Sequence, residues 1–330
     1  MVLQIKRFNK DSQNKWDKFV INNSINGTFL QTRRFLNYHP KDRFIDHSLI
    51  IFKGQDTIAA VIPACEIKEG NKKIFYSHKG STFGGIIVNS HFNNIRHISK
   101  IVEILEKYLR EHEFNTVILK NTSQIFSSDN INLIDYFLFN KNYNCYDELS
   151  FYIDFNNYKK GIELNFTSNK RRDYRKSLNF NLDFRKIESD NEILNFYDLL
   201  CINFKKFNRK PVHKFEELIK LKKDILKDNI DFYGVFYNNV LIAGSMVFKF
   251  KDKVFHTQYL AAHPDYLYVF PMNFLNYNLI KTAKESNFEY FSFGISTENN
   301  GKRLNNTLAE FKEGFGTTYS INKTYFKDLN

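Results

Sequence analysis

Side chains able to move protons and hold an anion gather in the last third of the chain. Gly294-Ile-Ser-Thr-Glu-Asn-Asn-Gly301 is a polar run that follows an apolar one, Glu289 to Gly294. Glu298 is the first candidate for a general base that takes the proton of an attacking amine. Ser296 is suited to hydrogen-bond a substrate or the oxyanion of a tetrahedral intermediate. The plainer reading is an exposed loop whose glutamate caps the next helix.

A second cluster is Phe255-His256-Thr257-Gln258-Tyr259. Strand alternation sets His256 and Gln258 on one face, Thr257 and Tyr259 on the other. A polar pair on one face of an apolar sheet needs partners or a ligand. His256 titrates in a range suited to proton transfer, or is a histidine satisfied in the interior. His213, in Lys210-Pro-Val-His213, either reaches an acceptor or decorates a surface loop. In Leu304-Asn-Asn-Thr-Leu-Ala-Glu-Phe-Lys312, Asn305 is a candidate substrate ligand. Lys312 either binds a donor phosphate or is a solvated helix lysine.

The first half offers one such place, Tyr76-Ser-His-Lys-Gly-Ser-Thr-Phe-Gly-Gly85. Its glycines let backbone approach a ligand, and His78 and Lys79 could hold an acceptor phosphate. It lacks the ending and spacing of a P-loop, so nucleotide hydrolysis is not supported. A tight β-connection is the alternative.

These residues need sheets and helices to hold them, and the pattern supplies a strand-turn-strand-strand-helix-strand order twice. The first copy reads Ser48–Lys53, a turn at 54–56, Thr57–Lys68, Lys73–Ser77 and Ile86–Val88. A helical face of Ile98, Ile101, Val102, Leu105 and Leu109 follows, then the strand Thr116–Lys120. The second copy reads Phe232–Tyr237, an Asn238-Asn239 turn, Val240–Phe250 and Lys253–Leu260. A helix then opens at Pro271 with Met272, Leu275, Leu279 and Ala283 on one face, before Glu289–Gly294 and a last strand Thr317–Lys327. Asp56–Pro63 matches Asn239–Met246 in turn, strand and small-residue step, which points to an internal duplication. Between the copies lies a basic helix start, Ser168-Asn-Lys-Arg-Arg-Asp-Tyr-Arg-Lys176. Helical patterns cover 193–204 and 215–226. The expected lobes are 1–155 and 156–330, with the chemistry in the second.

Composition narrows the class. The 330 residues are 42% apolar and 17% aromatic, which excludes global disorder. The net charge of +12 either attracts anionic partners or reflects a Lys- and Asn-rich composition. Cys65, Cys145 and Cys201 form no CxxC pair, so neither a disulfide framework nor a zinc site is expected. Cys65 and Cys201 are expected in the core. The N-terminus lacks an apolar h-region and no run of 18 apolar residues occurs, so a cytoplasmic protein without signal peptide or membrane span is expected.

In this order of elements the chain resembles the FemAB-like branch of the GNAT superfamily. The likeness rests on the repeated order, the Ser168–Lys176 segment, Ala243-Gly244 in the long strand, and Leu308-Ala-Glu-Phe-Lys-Glu-Gly-Phe-Gly316. It implies an α/β (α+β) fold of two GNAT-like lobes, each a mixed, mostly antiparallel twisted sheet flanked by helices. It implies N-acyl transfer to an amine, with acetyl-CoA or another acyl-CoA as donor and no metal. The acceptor would be an anionic amine, such as an amino sugar on a nucleotide or a cell-envelope precursor in polysaccharide biosynthesis. An aminoacyl-tRNA donor is the alternative, with Lys170–Lys176 following the phosphate backbone. A third reading is a non-catalytic RNA-binding protein on the same fold. The resemblance places the site where strands 253–260 and 289–294 part. The glycine loop that holds coenzyme A phosphates in many such lobes is replaced by Ala262-His-Pro-Asp-Tyr-Leu-Tyr-Val-Phe-Pro-Met272. Donor phosphates are therefore sought at Pro271, Met272 and Asn273 and at Lys312.

Overall fold

The computed structural model describes residues 3–40, 42–206, 208–251 and 253–329. The chain divides into two compact units, Met1–Glu148 with Ile321–Asn330, and Leu149–Ser320.

In the first unit, Leu49–Lys53 pairs antiparallel with Leu3–Arg7 and with Thr57–Ile62, and Ile87–Val88 pairs on the far side of Thr57–Ile62. The run expected as one strand from Thr57 to Lys68 is two. Pro63 has no N–H for a ladder, and the chain changes sheet there: Cys65–Glu69 pairs with Lys72–Tyr76 instead. Lys72–Tyr76 then runs parallel to Thr116–Lys120, across the helix Ile95–Glu111. That helix buries Ile98, Ile101, Val102, Leu105 and Leu109, the face its spacing predicts.

The C-terminal ten residues belong to this first unit rather than to a continuous second lobe. Thr324–Asp328 pairs antiparallel with Thr116–Lys120, and Tyr325 and Leu329 are buried in the first unit's core. They cover a strand that would otherwise show an open edge.

The main strands of the second unit run in the order Leu182–Ile187, Ile230–Tyr237, Val240–Phe250, Val254–Ala262, Tyr290–Ile295 and residues 149–154. Among these strands, for the described residues, only the Val254–Ala262 and Tyr290–Ile295 pair is parallel, joined by the helix Pro271–Glu285. Leu275, Leu279 and Ala283 of that helix pack with Ala243, Val247, Phe255 and Phe291. On the opposite face lies the helix Asp190–Lys205, and Phe196 sits so close that a Cβ on Gly244 would meet its ring at 2.7 Å. The Ala-Gly step in the long strand is thus a packing requirement.

Both units repeat one topology: an antiparallel hairpin, a helical crossover, a parallel strand and an antiparallel closing strand. The parallel ladders even match in length. Ile74, Phe75 and Tyr76 face Thr116, Val117 and Ile118; Val254, Phe255 and His256 face Tyr290, Phe291 and Ser292. The fold class read from the sequence is the one observed.

Candidate active site

In the second unit the two parallel strands part after His256 and Ser292. Val254–Ala262 continues against Val240–Phe250 as far as Ala262 opposite Ala243. Tyr290–Ile295 continues against 149–154 as far as Ile295 opposite Ser150. Gly294 makes the divergence possible. Its φ is +70°, and the ladder with 149–154 shifts register between Ser292 and Gly294. Within the first unit the corresponding strand ends are held together. Ser77 N–H donates to the Ile118 carbonyl at 2.8 Å, Lys120 N–H to Ser77 Oγ at 2.6 Å, and Gly84 N–H to the Lys120 carbonyl at 2.8 Å.

The glycine-bearing loop of the first unit therefore packs backbone on backbone. A Cβ on Gly84 would lie 2.7 Å from the Ser77 carbonyl oxygen. His78 is buried, its ring stacked 6.1 Å from His39, and burial pulls its pKa down to about 3. Lys79 is exposed, and its backbone N–H reaches Cys65 Sγ at 3.4 Å. The two do not form a shared anion site: one is interior, the other outward. Cys65 is buried and Cys201 half-buried.

Lys312 is the unexpected resident beside these diverging strands. It is not a solvated helix lysine but 4% exposed. The helix Asn306–Glu313 carries it under the end of the Tyr290–Ile295 strand, where Nζ donates to the carbonyls of Gly294 at 3.0 Å and Ile295 at 2.6 Å. Its Nζ also lies 5.6 Å from the Phe151 ring. Burial pulls its pKa down to about 7.

His256 projects over Gly294, where a Cβ would meet its Cε1 at 3.1 Å. Nδ1 lies 3.0 Å from Ser292 Oγ, and Gln258 hydrogen-bonds to the same ring. Burial first, then the Lys312 charge, pulls His256 down to about 4, so its imidazole is neutral at pH 7.

Alternation does not persist along this strand. Met246 pairs with Tyr259 but Val247 with Thr257, so Gln258 is the extra residue of a bulge. Phe255, Leu260 and Ala262 all pack in the core beneath the Pro271–Glu285 helix. A parity change between Phe255 and Leu260 places Tyr259 on the face of His256, not opposite it. There Tyr259 Oη lies 2.8 Å from His213 Nδ1, with Phe204 against its ring, and burial raises its pKa to about 12. His256, Gln258, Tyr259 and His213 thus share one face.

Ser296 is 2% exposed, and its Oγ has no hydrogen-bond partner. Its backbone is fixed at both ends: N–H to the Leu149 carbonyl at 3.0 Å, carbonyl from Asn305 N–H at 2.8 Å. Glu298 lies in a small hairpin, Thr297–Glu298 against Arg303–Leu304, half-buried and 3.9 Å from Arg303 Nε. It does not cap the next helix. Asn305 does, its Oδ1 accepting from Leu308 N–H at 3.1 Å.

The start of the Pro271–Glu285 helix offers little to a phosphate. Pro271 has no N–H, and the N–H groups of Asn273 and Phe274 both reach the Phe270 carbonyl. Met272 is half-buried and its carbonyl accepts from Asn276 Nδ2 at 2.7 Å; Asn273 Nδ2 reaches the Lys170 carbonyl at 3.3 Å. In the basic helix Ser168–Ser177, Arg171 holds the carbonyls of Glu163, Leu164 and Phe166. Arg175 pairs with Glu163, Arg172 with Asp173, and Lys170 lies over the Phe311 and Phe315 rings. Much of the charge that looked poised for RNA has an internal partner.

Sequence reasoning missed Ser292 and Gly294. The signal was present: a serine and a glycine interrupt the otherwise apolar run Tyr290–Ile295 where the strand ends diverge.

No family model matches the chain, and no curated protein does. Solved structures do match. FemX superposes with a TM-score of 0.71 at 10% identity, over 98% of this chain and 96% of its own. The C-terminal domain of a putative lysylphosphatidylglycerol synthetase from Agrobacterium fabrum gives 0.60 at 11%, over 96% and 92%. A tandem GNAT protein from the clavulanic acid biosynthesis pathway gives 0.57 at 7%, over 100% and 99%. In fold, then, this chain is similar to FemX and to a tandem GNAT protein along nearly its whole length.

Proposed function

We propose that the second unit is an N-acyltransferase whose crevice holds the donor carbonyl beside Lys312. The observation that carries this is the parting of the strands after His256 and Ser292, with a buried ammonium at the lip. Lys312 spends two N–H groups on the Gly294 and Ile295 carbonyls. Its third, with the unpartnered Ser296 hydroxyl, supplies donors for an oxyanion in a site of low dielectric.

The acceptor amine attacks the carbonyl carbon and forms the new C–N bond. The oxyanion then collapses and expels the thiol or ribose hydroxyl of the donor. The amine proton passes to that leaving group, and the neutral His256, held by Ser292 and Gln258, is the relay at hand. Glu298, with His213 and Tyr259, receives the cationic amine, and Glu298 takes the first proton, so that a neutral amine makes the attack.

A second reading of the donor has its own support. The helix start that would take coenzyme A phosphates has no glycine and has Pro271 at its first turn. Aminoacyl-tRNA does not need that contact. The experiment offers both donors, acyl-CoA with an amino-sugar nucleotide panel and charged tRNA with the same amines. Thiol release or amino-acid transfer by the wild type, lost in Lys312→Met, is the expected result. Turnover unaffected by Lys312→Met would overturn the assignment of the crevice.

A further inference from the structure

The sheet of the first unit has two faces of opposite character. Val117, Leu119 and Tyr325 point into the core that the Ile95–Glu111 helix covers. Lys120 points the other way. It pairs across the ladder with Thr324, and paired residues share a face. Tyr146 hydrogen-bonds the Thr324 hydroxyl, and Glu148 and Asn322 lie on that face, each two residues along its strand. Tyr76 joins them, since it pairs with Ile118, two residues before Lys120.

These groups are poorly satisfied. Among the described residues, the Lys120 ammonium has one hydrogen bond, to the Ser81 carbonyl at 3.5 Å, the limit of reach. The Glu148 carboxylate has none there and no ion pair joins it to Lys120, although each feels the other's charge. Residues 321–328 run between the strands that carry them, which sets those backbones about 10 Å apart. Burial lowers the Lys120 pKa and raises that of Glu148, so both charges are held at a desolvation cost. Asn322 Oδ1 is buried without a partner. Tyr76 and Tyr146 are half-buried beside them.

What fills such a face must carry both signs. A phosphate or a nucleic acid strand would meet the Glu148 carboxylate, and a polyamine would meet the Lys120 ammonium. An apolar ligand would leave both charges uncompensated. A zwitterion answers each with its opposite, and Asn322 Oδ1 takes a further ammonium N–H. We infer that the first unit binds a free α-amino acid, with its carboxylate on Lys120, its ammonium between Glu148 and Asn322, and its side chain against the Tyr76 and Tyr146 rings. The site uses no residue of the crevice, so it stands or falls apart from the proposed acyl transfer.

Isothermal titration calorimetry of the full chain with each standard amino acid tests this. At least one should bind and raise the thermal midpoint. Its N-acetyl derivative lacks the ammonium and its decarboxylated amine lacks the carboxylate, so each should bind about tenfold or more weakly. Lys120→Met and Glu148→Gln should weaken the parent amino acid by a similar factor. Asn322→Ala removes an acceptor that has no partner, so it should keep the thermal midpoint of the free protein and still weaken binding. That variant keeps the test open even where Lys120→Met fails to fold. Absence of binding by every amino acid, equal binding of the N-acetyl derivative, or unchanged affinity in Asn322→Ala and Glu148→Gln overturns the inference. So does binding of inorganic phosphate that Lys120→Met abolishes and Glu148→Gln strengthens, which would give the face to an anion. None of these measurements reads acyl transfer, so a failure of Lys312→Met to lower turnover leaves them unaffected.

Discussion

Lys312 Nζ donates to the Ile295 carbonyl at 2.6 Å. A helix lysine has been drawn under a strand end and is 4% exposed there. With the bond to the Gly294 carbonyl, the contact ties down the end of a strand that has already left its parallel neighbour. It also fixes a proton donor whose charge is nearly balanced at neutral pH.

Removing that donor should reduce transfer without unfolding the chain. Lys312→Met keeps the length and loses the ammonium, and kcat should fall by about 10²–10³. Lys312→Arg keeps a charge but not the point geometry, and should recover little. Steady-state kinetics with the active donor checks this, with circular dichroism as the control.

The same lysine makes stability depend on pH. Its folded pKa, about 7, lies below its unfolded value because burial disfavours the charged form. Between about pH 7 and pH 10 the unfolded chain binds the extra proton, so stability rises with pH across that window. Below it both states are protonated and the burial penalty is fully felt. Urea midpoints of the wild type should climb from neutral to alkaline pH, and those of Lys312→Met should climb less.

Ser296 should show the opposite signs for stability and activity. Its hydroxyl is buried without a partner, so Ser296→Ala removes a desolvated group and should be neutral or stabilising by about 1 kcal/mol. If the hydroxyl serves an oxyanion, the same change lowers kcat at unchanged KM. Thermal midpoints and kinetics on one preparation read both.

Gly244→Ala tests the packing beneath the site. The new Cβ would meet the Phe196 ring at 2.7 Å, which should cost about 1–3 kcal/mol. Phe196→Leu relieves the clash, so the double variant should be more stable than the two single losses added together. Denaturant unfolding of the four proteins gives the coupling.

The order of elements was legible because turns such as Asn238-Asn239 and the spaced leucines of the 271–285 helix are local signals. Pro63 was equally visible, yet it read as part of one strand, since only the sheet pairings reveal a change of partner. Tyr259 was put on the wrong face because a bulge at Gln258 depends on the neighbouring strand. Lys312 was noticed for its charge, but its burial comes from Gly294, Ile295 and Phe151, all distant in sequence. The burial of His78 was illegible for the same reason: His39 and Phe44 enclose it. The return of Thr324–Asp328 to the first unit is likewise a long-range pairing that no local pattern encodes.

The most direct test is a crystal structure with a non-hydrolysable donor, an acyl-CoA ketone analogue and an aminoacyl-adenosine amide in turn. One of them should lie between the Val254–Ala262 and Tyr290–Ile295 strands, with its carbonyl oxygen about 3 Å from Lys312 Nζ. A donor carbonyl bound elsewhere, with Lys312 still sealed against Gly294 and Ile295, would contradict the account.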